Sequence, residues 1–417
     1  MIQAGMTPIR ISEGELPALL TRLPATIDLE ASAERSGALL RRRGVKSASS
    51  LLRLALGYAA CGLSLRAAAA WAEVAAIASL SDVALLNRLR GAADWLGEIF
   101  GTLLSGQLSE TMTSTDEYRL RLVDATTLCH PGSHKTNWRL HIRCRLGARP
   151  QIEQVALTDE HGGETLRRFE RSPGDIEICD RGYAKATDLA AVVEAGSDFI
   201  VRTGWGSVGF RCLDGAPFDL FAAIDGLPEF GVAEANVAVT LDRTGKKLLP
   251  MRLIMLRVSE AAAERSRRRS RRKSQKEGKT ISQKTLRAAG FVLLLTSLPA
   301  ERFSADHILA LYRLRWQIEL VIKRLKSILH LDELPAKDPD LARAWIYAKL
   351  IAALLLDDIT GQALDSSPCA KRNGSATRLT LAHPMPAAPD DFVHCHHRAA
   401  YARCLDHGCP TPVPTFA

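Results

Sequence analysis

Nowhere in its 417 residues does the chain carry an apolar run close to the roughly 18 positions that a membrane-spanning helix needs. The longest such runs, residues 350–356 and 291–295, stop well short of it. Residues 1–12 lack the cationic start and apolar block of a secretory signal. The nine cysteines form no C-x-x-C pair, and an odd, scattered set fits reduced thiols in a cytosol better than a disulfide framework. Acidic residues are in deficit, 46 against 55 lysines and arginines. The resulting net charge of +9 and pI near 9.2 favour a polyanionic partner. No long basic amphipathic helix or lipidation signal accompanies that charge, so nucleic acid is expected ahead of a membrane surface. With 47% hydrophobic and 24% charged residues the chain reads as globular, and its length allows two or three domains. A soluble, intracellular protein is expected.

Residues 16–108 are alanine-rich and helical in pattern. A helix opens near Leu63 and runs to about Ala76, and Ser81 offers an N-cap for a second one from Val83 to Leu89. That spacing permits a helix-turn-helix presenting Asn87, Arg88 and Arg90 to DNA, although any antiparallel helix pair has the same pattern. From about Ser114 the period changes to two. Residues 119–124, 138–146 and 152–157 alternate as strands of a meander, with Asp124 at the end of the first. A helix at 164–169, a strand at 176–180, a helix at 187–195 and a strand at 199–202 follow, which predicts a mixed sheet covered by helices. Residues 206–288 break the pattern with a hairpin near 237–258 and an arginine-rich run at 265–279, a pattern most often found as a solvated loop but expected in a DNA enzyme to contact DNA backbone. An apolar strand returns at 290–296, followed by a long helix capped at Ser304 and reaching His330, then a helix at 340–357. Beyond Ile359 no periodicity remains and little fixed structure is expected.

The long helix carries Tyr312, Arg315, Glu319 and Lys326, which on a continuous helix fall within about 60° of one another, with Lys323 beside them. Leu311, Ile318, Ile322, Leu325 and Leu329 form the apolar stripe next to it. A carboxylate flanked by a phenol and cations suits a site that holds a metal while gripping phosphates. Two further carboxylates, Asp124 and Asp180, end strands that a parallel sheet can bring together under such a helix. Three acidic groups gathered at one point repel unless a cation joins them, and paired Mg²⁺ ions there support in-line displacement at phosphorus. Taken singly, each of the three would serve as well as a turn cap or as a surface ion pair, Glu319 with Lys323 for example.

With Asp124 in Leu-Val-Asp-Ala-Thr, Asp180 in Cys-Asp-Arg-Gly-Tyr and the helix spelling Y-x-x-R-x-x-x-E-x-x-x-x-x-x-K, the chain resembles DDE transposases of the bacterial insertion-sequence type. The resemblance spans about residues 63–356 and is to the Y-R-E-K subgroup, which has a ribonuclease H-like core interrupted by a β-strand insertion. It implies an α/β fold: a ribonuclease H-like mixed sheet with flanking helices, a β-rich insertion and a helical N-terminal domain. The expected division is a DNA-binding domain at 1–113, catalytic segments at 114–205 and 289–335, a basic insertion at 206–288, and a C-terminal helix and tail at 336–417. It further implies that Asp124, Asp180 and Glu319 are catalytic and hold Mg²⁺, with Mn²⁺ as a substitute. Tyr312, Arg315, Trp316, Lys323 and Lys326 would contact DNA, with Trp316 placed to stack on a flipped base.

The implied function is binding of terminal inverted repeats, metal-dependent cleavage and strand transfer, by a homodimer on double-stranded DNA in the cytoplasm, associated with the nucleoid. A DNA-binding regulator without catalysis and a plain hydrolytic nuclease are the rival readings. One departure is that no tryptophan lies between Gly206 and Arg315, where the subgroup's best-described member uses one. At the C-terminus, His394, Cys395, His396, His397, Cys404, His407 and Cys409 match no common zinc-finger spacing.

Overall fold

The computed structural model describes residues 11–109, 118–130, 133, 137–147, 150–242, 244, 246–331 and 333–360, so the expectations for the tail and its His/Cys cluster lie outside the described residues. The chain forms two compact units. The first takes in the described residues up to 109, those of 124–163 and those from 318 to 360; the second takes in 118–123 and 164–317.

Six helices lead the chain: α1 (Leu16–Leu20), α2 (Leu29–Arg35), α3 (Ala48–Ala59), α4 (Leu65–Val74), α5 (Asp82–Gly91) and α6 (Ala93–Ser109). The cap expected at Ser81 is in place, accepting from Ala84 N, and Ser64 likewise accepts from Ala67 N, each satisfying a donor that the first helical turn leaves open. Strand β1 (Arg119–Leu128) then crosses from the second unit into the first, and is followed by the antiparallel pair β2 (Trp138–Leu146) and β3 (Pro150–Asp159). The late helices of the first unit are most of α12 (Trp316–Leu329) and α13 (Pro339–Thr360). The α13 helix packs on α3, α5 and α6. Leu51, Leu54, Trp95, Leu96, Ile346 and Ile351 are buried in the helical part of that unit. The indole of Trp95 donates to Ser32 Oγ at 2.9 Å, so its one polar atom is satisfied in the core.

The second unit holds β4 (Asp175–Cys179), α7 (Ala186–Glu194), β5 (Asp198–Thr203), β6 (Phe210–Arg211), α8 (Leu220–Ile224), β7 (Val232–Thr240), β8 (Leu248–Arg257), α9 (Glu260–Lys276), α10 (Gln283–Ala288), β9 (Phe291–Thr296) and α11 (Ala305–Arg313). With the first half of β1 its strands form a mixed sheet in the order β1-β4-β5-β9-β8-β7-β6, parallel through β5 and antiparallel beyond. The strands of 206–288 therefore extend this sheet from β9, and they carry helices with them. Strand β4 is buried along its whole length, although two of its five residues are acidic. Arg119 on β1 meets Asp175 at 2.8 Å and Arg121 approaches it at 3.4 Å, which offsets the cost of burying that carboxylate.

Two expectations are corrected here. The basic run is a helix, not a loop. Ser259 caps it, Ala262 and Ala263 of its first turn are buried, and Glu264 pairs with Arg267, Arg268 and Arg271 one and two turns on. The long helix after Ser304 is two helices, α11 and α12, because Leu314, Arg315 and Gln317 donate to carbonyls three residues back and tighten the chain between them. The residues read as one polar stripe are therefore divided between two helices, Tyr312 on α11 and Glu319 and Lys326, with Lys323 beside them, on α12.

Candidate active site

In the second unit, β4 delivers Asp180 at its C-terminal end, where the residue opens a 3₁₀ turn of Arg181, Gly182 and Tyr183. Gly182 leaves room for the Glu164 carboxylate, since a Cβ there would lie 1.4 Å from its Oε2 and displace it. Around Asp180 stand a phenol and three guanidinium groups. Tyr312, the penultimate residue of α11, is 6% exposed, and its hydroxyl is buried with no hydrogen-bond partner among the described residues. Burial pushes its pKa well above the usual phenol value and the charge of Asp180 adds to this, while Arg315 and Arg202 oppose it. Arg315 lies 5.9 Å from the Tyr312 ring centroid. Burial, then the like charge of Arg202, lowers the pKa of Arg181, and Asp180 acts in the other direction. Trp316 is 37% exposed at the start of α12.

In the first unit, Asp124 sits within β1, not at its end, half-buried, with Oδ1 accepting from Ala125 N at 2.8 Å. Its charge reaches Cys144 on β2, whose thiol pKa is raised by burial first, then by Glu153 and Asp124. Glu319 is half-buried in the first turn of α12, and Lys323 is exposed one turn on. Lys326 Nζ donates to the Thr127 carbonyl of β1 at 3.2 Å. A parallel bridge joins Cys129, just past β1, to Glu333, just past α12. Two attachments thus fasten this helix segment along the strand that bears Asp124.

Among the described residues no group of three or more His, Cys, Asp or Glu side chains is arranged to hold a metal. In kind, Asp124, Asp180 and Glu319 offer only hard carboxylate oxygens, the donors that Mg²⁺ and Mn²⁺ prefer.

Two of the three side chains that a helix-turn-helix would present to DNA have partners within the fold, as the plain helix pair would allow. Arg88 of α5 donates to the carbonyls of Arg41 and, at 2.9 Å, Arg43, and Arg90 pairs with Asp338 at 2.7 Å. Both guanidinium groups serve the fold. Two residues near Arg181 carry no motif in the sequence. Arg202 on β5 has no signature of its own. Trp205 is flagged only by the pattern break at Gly204 and Gly206, yet it lines a cavity of about 300 Å³ with Arg181, Ser266, Ser270 and Thr285, and its Nε1 donates to Thr285 Oγ1 at 3.2 Å.

Residues 115–355 match the family model described as a transposase DDE domain. The chain is 41% identical over 359 residues to the InsL protein of insertion sequence element IS186A from Escherichia coli strain K12, covering 84% of this chain and 95% of that one. It is 41% identical over 360 residues to the transposase for insertion sequence element IS421 of Escherichia coli, with the same shares covered. A more distant relative is the transposase for insertion sequence element IS231E of Bacillus thuringiensis subsp. finitimus, 27% identical over 299 residues, with 63% of this chain and 61% of that one covered. No described helix is long and apolar enough to cross a membrane.

Proposed function

Because this chain belongs to the family of transposases with a DDE domain and is a transposase of the insertion-sequence type, we propose that it binds the terminal inverted repeats of its element, cleaves DNA there and joins the freed ends to target DNA. Asp124, Asp180 and Glu319 form the catalytic set in this reading.

The observation that carries it is register. Val123 and Cys179 are partners on neighbouring parallel strands. Asp124 and Asp180 are each the next residue along the chain from that pair. Glu319 shares a unit with Asp124, and Lys326 of the same helix donates to the Thr127 carbonyl of β1. From Lys326 back to Glu319 is seven helical residues, about 10.5 Å. From Thr127 back to Asp124 is three strand residues, about 10 Å. The parallel bridge from Cys129 to Glu333 is a second contact between the two segments.

These three carboxylates would hold Mg²⁺ or Mn²⁺, and until a cation arrives their mutual repulsion favours keeping them apart. When bound, the metal supplies charge stabilisation at the attacking and leaving oxygens of the phosphoryl transfer. The remaining roles belong to the chain. Arg315 offers a planar fork for a phosphate. The buried Tyr312 phenol stays protonated and donates a hydrogen bond beside it. Lys323 adds an exposed positive charge. Trp316 presents an indole on which an unstacked base can lie. A pair of chains holding two element ends is the working assembly.

The test is strand transfer by the purified chain on a duplex carrying the repeats that flank its reading frame. Mg²⁺-dependent cleavage with joined product, lost in Glu319→Gln while DNA binding persists, is expected. Binding without nicking would make the chain a regulator. Nicking without joined product would make it a nuclease.

A further inference from the structure

The N-terminal helices present a cationic surface that neither the catalytic set nor the expected recognition helix accounts for. The loop between α2 and α3 runs Leu39-Leu40-Arg41-Arg42-Arg43-Gly44-Val45-Lys46. Leu39 and Val45 are buried at 1% and 0% exposure, so both ends of the loop are sunk in the core. Between and beside these anchors, Arg41, Arg43 and Lys46 are exposed.

The loop backbone is held from three sides. Arg88 of α5 forks onto the carbonyls of Arg41 and Arg43. Arg42 is turned back onto Glu30 at 3.0 Å and Glu34 at 2.8 Å, and it also donates to the Lys46 carbonyl at 3.0 Å. Gly44 adopts φ of 76°, and a Cβ there would stand 3.1 Å from the Ser79 carbonyl, so the loop lies close against the turn that leads into α5.

Two of the four basic side chains from 41 to 46 could have been neutralised by Glu30 and Glu34, yet both carboxylates go to Arg42. Among the described residues Arg41, Arg43 and Lys46 have no acidic partner. Like charges held this close in a fixed loop raise its energy unless an anionic surface meets them. Fixing their backbone beforehand lowers the ordering cost of such a contact. We propose that this pinned loop is a DNA-backbone contact of the N-terminal helices: Arg41, Arg43 and Lys46 meet phosphates, and Arg88 is a positioning residue that does not touch DNA.

The inference rests on the transposase reading, and its test is a binding measurement that needs no cleavage. The salt dependence of affinity for a random-sequence duplex of about 40 base pairs is measured for the full chain, with circular dichroism confirming the fold. The Arg41→Ala/Arg43→Ala/Lys46→Ala variant should lower the log–log salt slope by about 2 to 3, close to 0.9 for each lost phosphate contact. Arg88→Met keeps those three cations, so affinity should fall a few-fold while the slope stays put. A triple variant with the parent slope overturns the inference alone. Failure of the unaltered chain to bind duplex DNA overturns both the inference and the proposed function.

Discussion

Replacing Lys326 with methionine separates two roles that the sequence alone assigns to one side chain. The Y-R-E-K resemblance makes Lys326 a phosphate contact, and in the structure its ammonium donates to the Thr127 carbonyl at 3.2 Å. Methionine keeps the apolar stem and its packing but removes the charge-assisted bond. Such a bond on a half-exposed side chain contributes at the low end of the range for charged hydrogen bonds, about 1.5 kcal/mol. If that bond holds α12 level with β1 in the transition state, its loss slows cleavage roughly tenfold. The assay is single-turnover cleavage with every DNA end bound, run beside the salt dependence of binding. A tenfold slower step with an unchanged salt slope is expected. A slope smaller by about 0.9, with saturated complexes cutting at the parent rate, would show that Lys326 is a phosphate contact and no brace.

Two further outcomes follow from buried polar groups. Burial pushes the Tyr58 phenol from 10.0 up to about 12, so its contribution to stability is intact below pH 10 and declines between pH 10 and about 12, where the unfolded chain ionises first. Thermal unfolding followed from pH 9 to 12 should therefore show a shallower alkaline decline in Tyr58→Phe than in the parent, and equal declines would refute the assignment. Ser32→Ala leaves the Trp95 Nε1 donor buried without its acceptor, and denaturant unfolding should register a loss of about 1 to 3 kcal/mol. No measurable loss would mean that the indole finds another partner.

The parts of the fold that the sequence reveals are those governed by local rules. Alternation in 119–124 and 138–146 and the apolar run at 291–296 mark strands, because a strand in a sheet buries side chains on one face or on both. Ser81 and Ser304 mark helix starts because their hydroxyls accept the open amides of the first turn. What was not legible depends on distant partners. Leu314 and Arg315 are good helix formers with no Gly or Pro beside them, so nothing local announces the tightening between α11 and α12. The arginine-rich run looks solvated, but arginine and lysine have high helix propensity, and Glu264 and the Ser259 cap suffice to order it. Arg88 reads as a DNA-facing residue until the carbonyls of Arg41 and Arg43, 47 and 45 positions away, are seen to occupy it. The candidate site divides in the same way: its residue types were legible as a pattern, while the register partner beneath each aspartate and the fastening of α12 to β1 are facts of tertiary structure.

The central claim is that Asp124, Asp180 and Glu319 act as one set. Its most direct test is single-turnover cleavage of bound element ends by Asp124→Asn, Asp180→Asn, Glu319→Gln and the combined variant. Residues that work as a unit lose everything at the first removal, so each single variant should be as inactive as the combination while still binding DNA. Cleavage at the parent rate by any one of the single variants would contradict the account.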